Sequence, residues 1–286
     1  MANLKEIRNR ISSVSSTMQI TSAMKMVSAA KLKKAQDAIT AMRPYADKLT
    51  ELLQNLSATL EAGAGSTFAE NREIKKVLVV AISSNRGLAG AFNSNIIKEA
   101  KLLAIDKYTN QEVSYVTIGK KVNDILSKGD NVVASHNSIF DDLSFENVAA
   151  IAQDLMNRFE AEEFDRIDIV YNKFKNAGTQ LVMTEQFLPI LPVEEGQASS
   201  ADYIFEPSKA EIVSGLIPKA LKTQLFKAIR DSVASEHGAR MTAMHKATDN
   251  ATELRDALKL QYNKARQAAI TNEILEIVGG AEALNN

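Results

Sequence analysis

Apolar side chains recur every three or four residues near the start of the chain. The first repeat comprises Leu4, Ile7, Ile11, Val14 and Met18. The same spacing resumes at Ile39 and continues to Leu60. Alternating spacings of three and four residues are typical of a coiled coil, in which the apolar seam faces a second helix. The pattern therefore predicts one long N-terminal coiled-coil helix over residues 1–61.

Two features modify this predicted helix. The segment Thr21–Lys31 replaces large apolar residues with small ones, two methionines and lysine, although its helix propensity stays high. We expect the helix to continue through this segment with a slim surface. Pro44 lacks a backbone donor, so we expect it to bend the helix, or divide it, near residues 41–43.

The other end of the chain, residues 209–286, predicts a second long helix. After Pro218 no further proline occurs. The inner positions of this helix are mostly small: Ala228, Ser232, Ser235, Ala239, Thr242, Ala251, Ala265 and Ala268. Small residues let two helix axes approach closely but bury little apolar area. At about 1.5 Å per residue, residues 219–286 would form a rod roughly 100 Å long. We therefore expect the two chain ends to form an antiparallel coiled coil that protrudes or lies inside a partner.

The middle of the chain alternates between strand-like and helical patterns. The strand-like runs cover 76–84, 113–120, 166–175 and 179–191, and the helical patterns cover 95–107, 120–128 and 145–161. This alternation predicts a mostly parallel sheet that is covered on both faces. Only residues 176–178 separate the last two strands, which predicts an antiparallel hairpin at one edge. The predicted fold class is α/β, a Rossmann-like domain at 72–191 followed by a linker at 192–208, together with the terminal coiled coil.

Charge is distributed unevenly, although the net charge is only −1. Residues 1–57 carry nine Lys/Arg against four Asp/Glu, and residues 208–286 carry eleven against nine, so the middle is acidic. The split favours either plain solubility or acidic protein partners for the basic ends. Cysteine is absent, which excludes disulfides and thiolate chemistry. The sequence contains no apolar run of about 18 residues, so no transmembrane segment is expected.

One loop resembles a phosphate-binding turn. Ser83–Asn93 follows the first predicted strand and contains Gly87 and Gly90. Loops of this kind bind phosphate through backbone amides at a helix N-terminus. However, the glycine spacing matches neither common nucleotide motif, and the lysine of a Walker loop is missing. A nucleotide-binding α/β enzyme that uses this loop is therefore the alternative function, and a tight turn with Asn93 or Ser94 capping the next helix is favoured.

The sequence does not indicate a metal site, a catalytic site or a nucleic-acid-binding site. The three histidines, His136, His237 and His245, have no spacing suited to a shared metal ion, and no catalytic constellation is present. We therefore predict no catalytic residue, no metal site and no cofactor. A basic patch at Lys31–Lys34 lacks neighbouring aromatic residues, and the pI is near 6.4, so nucleic acid is not expected as a partner.

Three stretches together resemble the gamma subunits of the rotary (F-type) ATP synthases. They are RISSVSSTMQITSAMKMVSAAKLKKAQD at 10–37, SNRGLAGAFNS at 84–94, and residues 235–252 with 263–284, which include ITNEILEIVGGAEA at 270–283. The resemblance covers the whole chain in the same order. It implies a non-catalytic rotor shaft that couples rotation of a membrane ring to conformational cycling of the catalytic beta subunits.

The resemblance also implies partners and contact residues. In this family the terminal helices enter a ring of three alpha and three beta subunits, while the α/β domain sits with the epsilon subunit on a proton-driven c-ring. By motif match, Arg266 and Gln267 are expected to contact a loop of beta, with Met24 and Lys25 on the facing part of the N-terminal helix. The segment expected to face the ring and epsilon comprises Asp202, Tyr203, Ile204, Phe205 and Glu206. The implied location is peripheral, on the cytoplasmic face of a bacterial inner membrane.

Overall fold

A computed structural model describes residues 4–57, 68, 72–190 and 209–284. The chain divides into two compact units, of which the first comprises Met1–Ser28 with Met241–Asn286 and the second comprises Ala29–Arg240. The predicted linker at 192–208 lies outside the described residues. The domain boundaries proposed from the sequence therefore stay a prediction.

Two long helices account for the described parts of both chain ends. Helix α1 covers Leu4–Ser57 and helix α5 covers Lys209–Leu284, as the apolar periodicity predicts. Pro44 lies inside α1 without dividing it, so of the two expected effects, a bend or a division of the helix, the division does not occur. The segment Thr21–Lys31, which contains no Leu or Ile, also stays helical. Its buried positions, Thr21 and Ser28, continue the seven-residue spacing of the apolar seam.

The second unit contains a five-stranded sheet in the order β3-β2-β1-β4-β5. The strands are β1 (Lys76–Ile82), β2 (Glu112–Ile118), β3 (Val132–Ser135), β4 (Arg166–Asn176) and β5 (Thr179–Leu188). The first four are parallel, and β5 is antiparallel to β4 at one edge. The fold class and the edge hairpin are thus confirmed. The sequence pattern missed β3, which has only four residues and no fully buried face.

Helices cover both faces of this sheet. The shorter helices are α2 (Phe92–Leu102), α3 (Lys120–Leu126) and α4 (Phe145–Glu160). Alternate residues of β1 point to opposite sides, so Leu78 and Val80 pack with α4 and the start of α5 while Val77 and Val79 pack with α2 and α3. This three-layer packing makes the first part of α5 a component of the sheet's core rather than only half of a coiled coil.

A π-helical turn, Leu103–Lys107, extends α2 and organises a buried charge. The sequence predicts one continuous helix here, but the wider turn brings the Tyr108 amide to the Leu103 carbonyl oxygen. The Tyr108 hydroxyl then donates to the fully buried Asp168, which Lys107 Nζ and Arg166 Nε also contact, at 3.3 and 3.0 Å. Burial is the main reason that the pKa of Tyr108 is raised. These contacts satisfy a carboxylate that the sheet alone would leave unpaired.

Candidate functional site

The carboxyl edge of a parallel sheet is the usual ligand position in open α/β folds. Here the chain's own helix α5 lies against that edge. The Ser235 hydroxyl donates to the Asn172 carbonyl oxygen at 2.9 Å, and Ala239 packs with Ala89 and Phe92. The approach is close, because a Cβ atom on Gly238 would lie 3.3 Å from the Ala177 backbone. Helix α5 therefore covers the part of this edge near β4 and the β1–α2 loop.

The loop Ser83–Asn93 uses its polar groups internally. The Ser84 amide donates to Asn93 Oδ1 at 3.0 Å, and Ser83 Oγ accepts from the Val122 amide at 3.0 Å. Asn85 Oδ1 accepts from the Lys120 amide at 2.9 Å. Among these groups the Ser84 amide is the loop's own backbone donor, and a phosphate ligand would have to displace Asn93 from it, which favours the tight-turn interpretation of the loop.

The expected helix cap in this loop is wrong. Helix α2 begins after Ala91 with no side-chain cap, while the Ser94 hydroxyl donates back to the Ala91 carbonyl oxygen. The Asn93 side chain is instead turned toward Ser84, where it closes the loop. The amide oxygen therefore stabilises the β1–α2 connection rather than the first turn of α2.

Arg240 joins this loop to helix α5. Its Nη2 atom donates to the carbonyl oxygens of Arg86 and Gly87 at 3.1 and 3.2 Å, and its Nη1 atom lies 2.5 Å from Glu236 Oε1. The Arg240 side chain is 9% exposed and the Glu236 side chain is 13% exposed, so little solvent reaches the pair. The sequence pattern does not distinguish Arg240, because an arginine in a long helix resembles a solvated surface residue. Its position four residues after Glu236 was the available signal.

His237 lies on α5 close to two cations. Burial first, then the charges of Arg240 and Lys31, lower the pKa of His237 to about 4. The imidazole is therefore neutral at pH 7, which is consistent with a packing role.

Acidification is expected to weaken the second unit through His237. An unfolded histidine binds its proton near pH 6.5 and the folded one only near pH 4, so the unfolded state takes up more protons as the pH falls between these values. We expect the unfolding free energy to fall by about 2 kcal/mol across that window. Urea unfolding of the purified chain at pH 7 and pH 4.5 measures this loss, and His237→Gln should remove it.

The matched control for this experiment is His245→Gln. His245 is on the same helix, but its side chain is 56% exposed and pairs with Asp249. This variant should keep the pH dependence of the unmodified chain. If His237→Gln keeps the same dependence too, other groups cause the acid sensitivity.

The first unit is an antiparallel helix pair whose register is set by polar contacts. Thr248 Oγ1 donates to Thr21 Oγ1 at 2.8 Å, and Arg8 Nη2 donates to the Tyr262 hydroxyl at 2.6 Å. Most of the predicted small inner positions of α5 are confirmed as inner, including Ala251, but Ala268 is exposed. By this register Leu4, the first described residue of α1, lies opposite Arg266. No described residue of α1 therefore lies opposite Ala268.

The structure separates the predicted beta-contact residues into two groups. Arg266 and Gln267 are exposed, whereas Met24 and Lys25 are half-buried. The Arg8–Tyr262 contact aligns Arg266 with the start of α1, and the Thr21–Thr248 contact aligns Met24 with residue 246 or nearby. The two groups are therefore about 30 Å apart along the pair. The expectation that Met24 and Lys25 face Arg266 and Gln267 is wrong, because the heptad pattern did not specify the register. The segment Asp202–Glu206 lies outside the described residues.

Both helices of the first unit expose large apolar side chains. On α5 they include Ile270, Ile274, Leu275, Ile277 and Val278. On α1 they include Ile20, Met26 and Val27. A concentration of exposed apolar residues of this kind marks a surface that binds a partner. The apolar spacing of residues 270–278 was visible in the sequence, but only the structure shows that α1 leaves it uncovered.

The described residues give no indication of a metal or membrane-spanning site. They contain no group of three or more potential metal-ligating side chains. None of the described helices combines the length and the apolarity needed to cross a membrane.

Comparisons with known proteins agree with the sequence resemblance. A family model described as ATP synthase matches residues 3–284. The ATP synthase gamma chain of Flavobacterium psychrophilum is 73% identical over 285 residues, covering 99% of both chains. The gamma chain of Cytophaga hutchinsonii is 54% identical over 295 residues, covering 100% of both.

Solved structures show the same architecture. A chain of the central stalk and c-ring structure of the Tetrahymena thermophila mitochondrial ATP synthase is 27% identical with a TM-score of 0.61, covering 80% of this chain and 99% of that chain. A chain of the Euglena gracilis mitochondrial ATP synthase structure has a TM-score of 0.69 at 22% identity, covering 98% of this chain and 94% of that chain. The second likeness shows the fold alone.

Proposed function

Because the chain belongs to the family of ATP synthase gamma chains, we propose that it works as the central rotor shaft of an ATP synthase. It is a non-catalytic subunit that couples rotation of a membrane ring to the conformational cycle of the catalytic subunits. Coupling of this kind requires contacts that differ between the states of the partner ring.

The apolar surface of the first unit is the observation that carries this proposal. The helix pair leaves Met26 and Leu275 exposed to solvent in the isolated chain. A surrounding sleeve of partner subunits would cover such residues. Small and flexible side chains also make shallow contacts that do not hold the helix pair at one angle. Such contacts suit a surface that turns past several similar neighbours.

The contact residues follow from the same assignment. Arg266 and Gln267 contact a loop of the beta subunit, and Met24 and Lys25 form a separate contact about 30 Å further along the helix pair. The exposed positions of Arg266 and Gln267 support this role. Residues 202–206 contact the rotor ring and the epsilon subunit by the family resemblance alone.

The assembly context is part of the proposal. Relatives with known structures are chains of assemblies that contain a central stalk and a c-ring. We extend this association to a head of three alpha and three beta subunits, an epsilon subunit and a proton-translocating c-ring. The chain is then a peripheral protein on the cytoplasmic face of a bacterial inner membrane.

Site-directed labelling tests the sleeve. Because the natural chain has no cysteine, Leu275→Cys and Ile105→Cys each place one thiol in it. Their parent side chains are 63% and 65% exposed, so both thiols should react with a maleimide in the isolated chain. In the complex with alpha and beta, we expect Leu275→Cys to become at least about tenfold less reactive, while Ile105→Cys, on the π-helical turn of the sheet unit, stays reactive.

Three outcomes would contradict the proposal. Equal labelling of Leu275→Cys in the free and assembled chain would mean that no sleeve covers α5. Failure of this chain to purify with alpha and beta would remove the rotor assignment itself. An image of the purified complex with this chain away from the central axis would do the same.

A further inference from the structure

An ion pair between a half-exposed arginine and a buried carboxylate joins three elements of the second unit. Asp231 on α5 is fully buried, and its Oδ1 atom accepts from Arg43 Nη2 of α1 at 3.2 Å. The same Nη2 atom donates to the Phe174 carbonyl oxygen of β4 at 3.3 Å. Arg43 therefore contacts a strand and the opposite helix through one guanidinium nitrogen, and its side chain is 40% exposed.

Stability alone does not explain this pair. Burial raises the pKa of Asp231, while the charge and hydrogen bond of Arg43 lower it less. Asp231 Oδ2 has no hydrogen-bond partner among the described residues. Removing a carboxylate from water is costly, and an apolar residue of similar size is often as stabilising or more so. The charge of Asp231 therefore contributes more to the orientation of the two helices than to the free energy of unfolding.

The side chains around the Arg43–Asp231 pair hold the orientation of α1 relative to α5 only weakly. The inner side chains nearest Asp231 on α5 include the small Ala228 and Ser232, while the larger Ile229 packs into the core of the sheet. Contacts between small side chains are non-directional and bury little area, so they resist sliding or rotation of one helix on another only weakly. On α1, the next residue is Pro44, whose ring removes the amide that would bond the Thr40 carbonyl oxygen. The helix is thus less constrained by its own hydrogen bonds at the point where Arg43 reaches across.

We propose that Arg43 and Asp231 are positioning residues, which fix the parts of α1 and α5 that lie in the second unit against each other and against β4, so that these parts turn with the sheet as one body. This inference rests on the proposed rotor function. Loss of the pair would let the helices yield under load, so that ATP hydrolysis continues while less of its energy reaches ion transport.

The test measures both activities of the complete ATP synthase in sealed vesicles. ATP hydrolysis and ATP-driven ion uptake are recorded for Arg43→Met, Asp231→Asn and the double variant. We expect the ratio of uptake to hydrolysis to fall by about fivefold in each single variant, the lower end of typical coupling effects. The double variant should lose no more than either single one, because each removes the same interaction.

Two further variants separate positioning from general damage. Asp154→Asn makes the same chemical change in an ion pair that lies within α4 alone, and it should leave the ratio unchanged. Arg43→Lys keeps the charge and should retain about half of the ratio, since lysine makes fewer directed bonds. If Arg43→Met does not assemble, the ratios of Arg43→Lys and Asp231→Asn decide the result.

Three results would overturn the inference. In the first, ion uptake and ATP hydrolysis fall in proportion in the single variants, so that their ratio is unchanged. In the second, the double variant loses as much of the ratio as the two single variants together. In the third, Asp154→Asn lowers the ratio as much as Asp231→Asn does. Failure of the rotor proposal is distinguishable, because the complex with the unmodified chain would then show hydrolysis without any ion uptake.

Discussion

Arg240→Met is expected to destabilise the second unit by about 3 kcal/mol. The substitution keeps much of the apolar stem but removes the guanidinium that binds the carbonyl oxygens of Arg86 and Gly87. It also leaves the Glu236 carboxylate, only 13% exposed, without its cation. Unpaired buried acceptors lose their full solvation, which is why the expected cost exceeds that of an ordinary hydrogen bond. Urea unfolding of the purified chain at pH 7 measures this loss.

Arg158→Met is the matched control for Arg240→Met. Arg158 also pairs with an acid four residues away, Asp154, but this pair is more exposed and lies on α4. Pairs of this kind contribute about 0.5 kcal/mol. Similar losses in Arg158→Met and Arg240→Met would show that the bonds between α5 and the β1–α2 loop contribute little to stability.

Arg266→Ala is expected to reduce coupling by about fivefold in the assembled ATP synthase. The side chain is exposed in the isolated chain, so the substitution should leave the fold intact and remove only the proposed contact with beta. Arginine is common among residues whose truncation strongly weakens an interface, because its planar fork makes several directed bonds. The measurement is ATP-driven ion uptake per ATP hydrolysed, with the amount of assembled complex determined in parallel.

Lys264→Ala provides the comparison for Arg266→Ala. Lys264 is an exposed cation on the same helix, but two residues correspond to a rotation of about 200°, so it lies on the other side. We expect nearly unchanged coupling in Lys264→Ala. If both variants pump ions equally well, Arg266 does not contact beta in the way proposed, and the contact must lie elsewhere on the apolar surface.

Local patterns in the sequence were sufficient for the main elements of the fold. The spacing of apolar residues predicts α1 and α5, and the alternation of strand and helix patterns predicts a mostly parallel sheet with an edge hairpin. These features depend on neighbours within one or two turns, or within one strand. Elements with weak local signals were missed or simplified, such as the short β3 and the π-helical turn at Leu103–Lys107.

The candidate sites were predicted less completely, because their residues act through partners far away in the chain. Arg266 and Gln267 were located by family resemblance, and their exposure agrees with a contact role. Arg43, Asp231 and Arg240 carried no local signal strong enough to distinguish a buried polar residue from a solvated one. Their bonds connect residues more than one hundred positions apart.

The sequence by itself determined that both chain ends are long helices and that an α/β sheet lies between them in the chain, since period and propensity are properties of short segments. Only the tertiary structure decided which heptads face each other. A repeat of seven residues matches its partner equally well after a shift of seven, so the register is chosen by specific contacts such as Thr21–Thr248 and Arg8–Tyr262. The tertiary structure also decided that α5 packs against the carboxyl edge of the sheet, because Ser235 and Arg240 meet their acceptors only once the chain is folded.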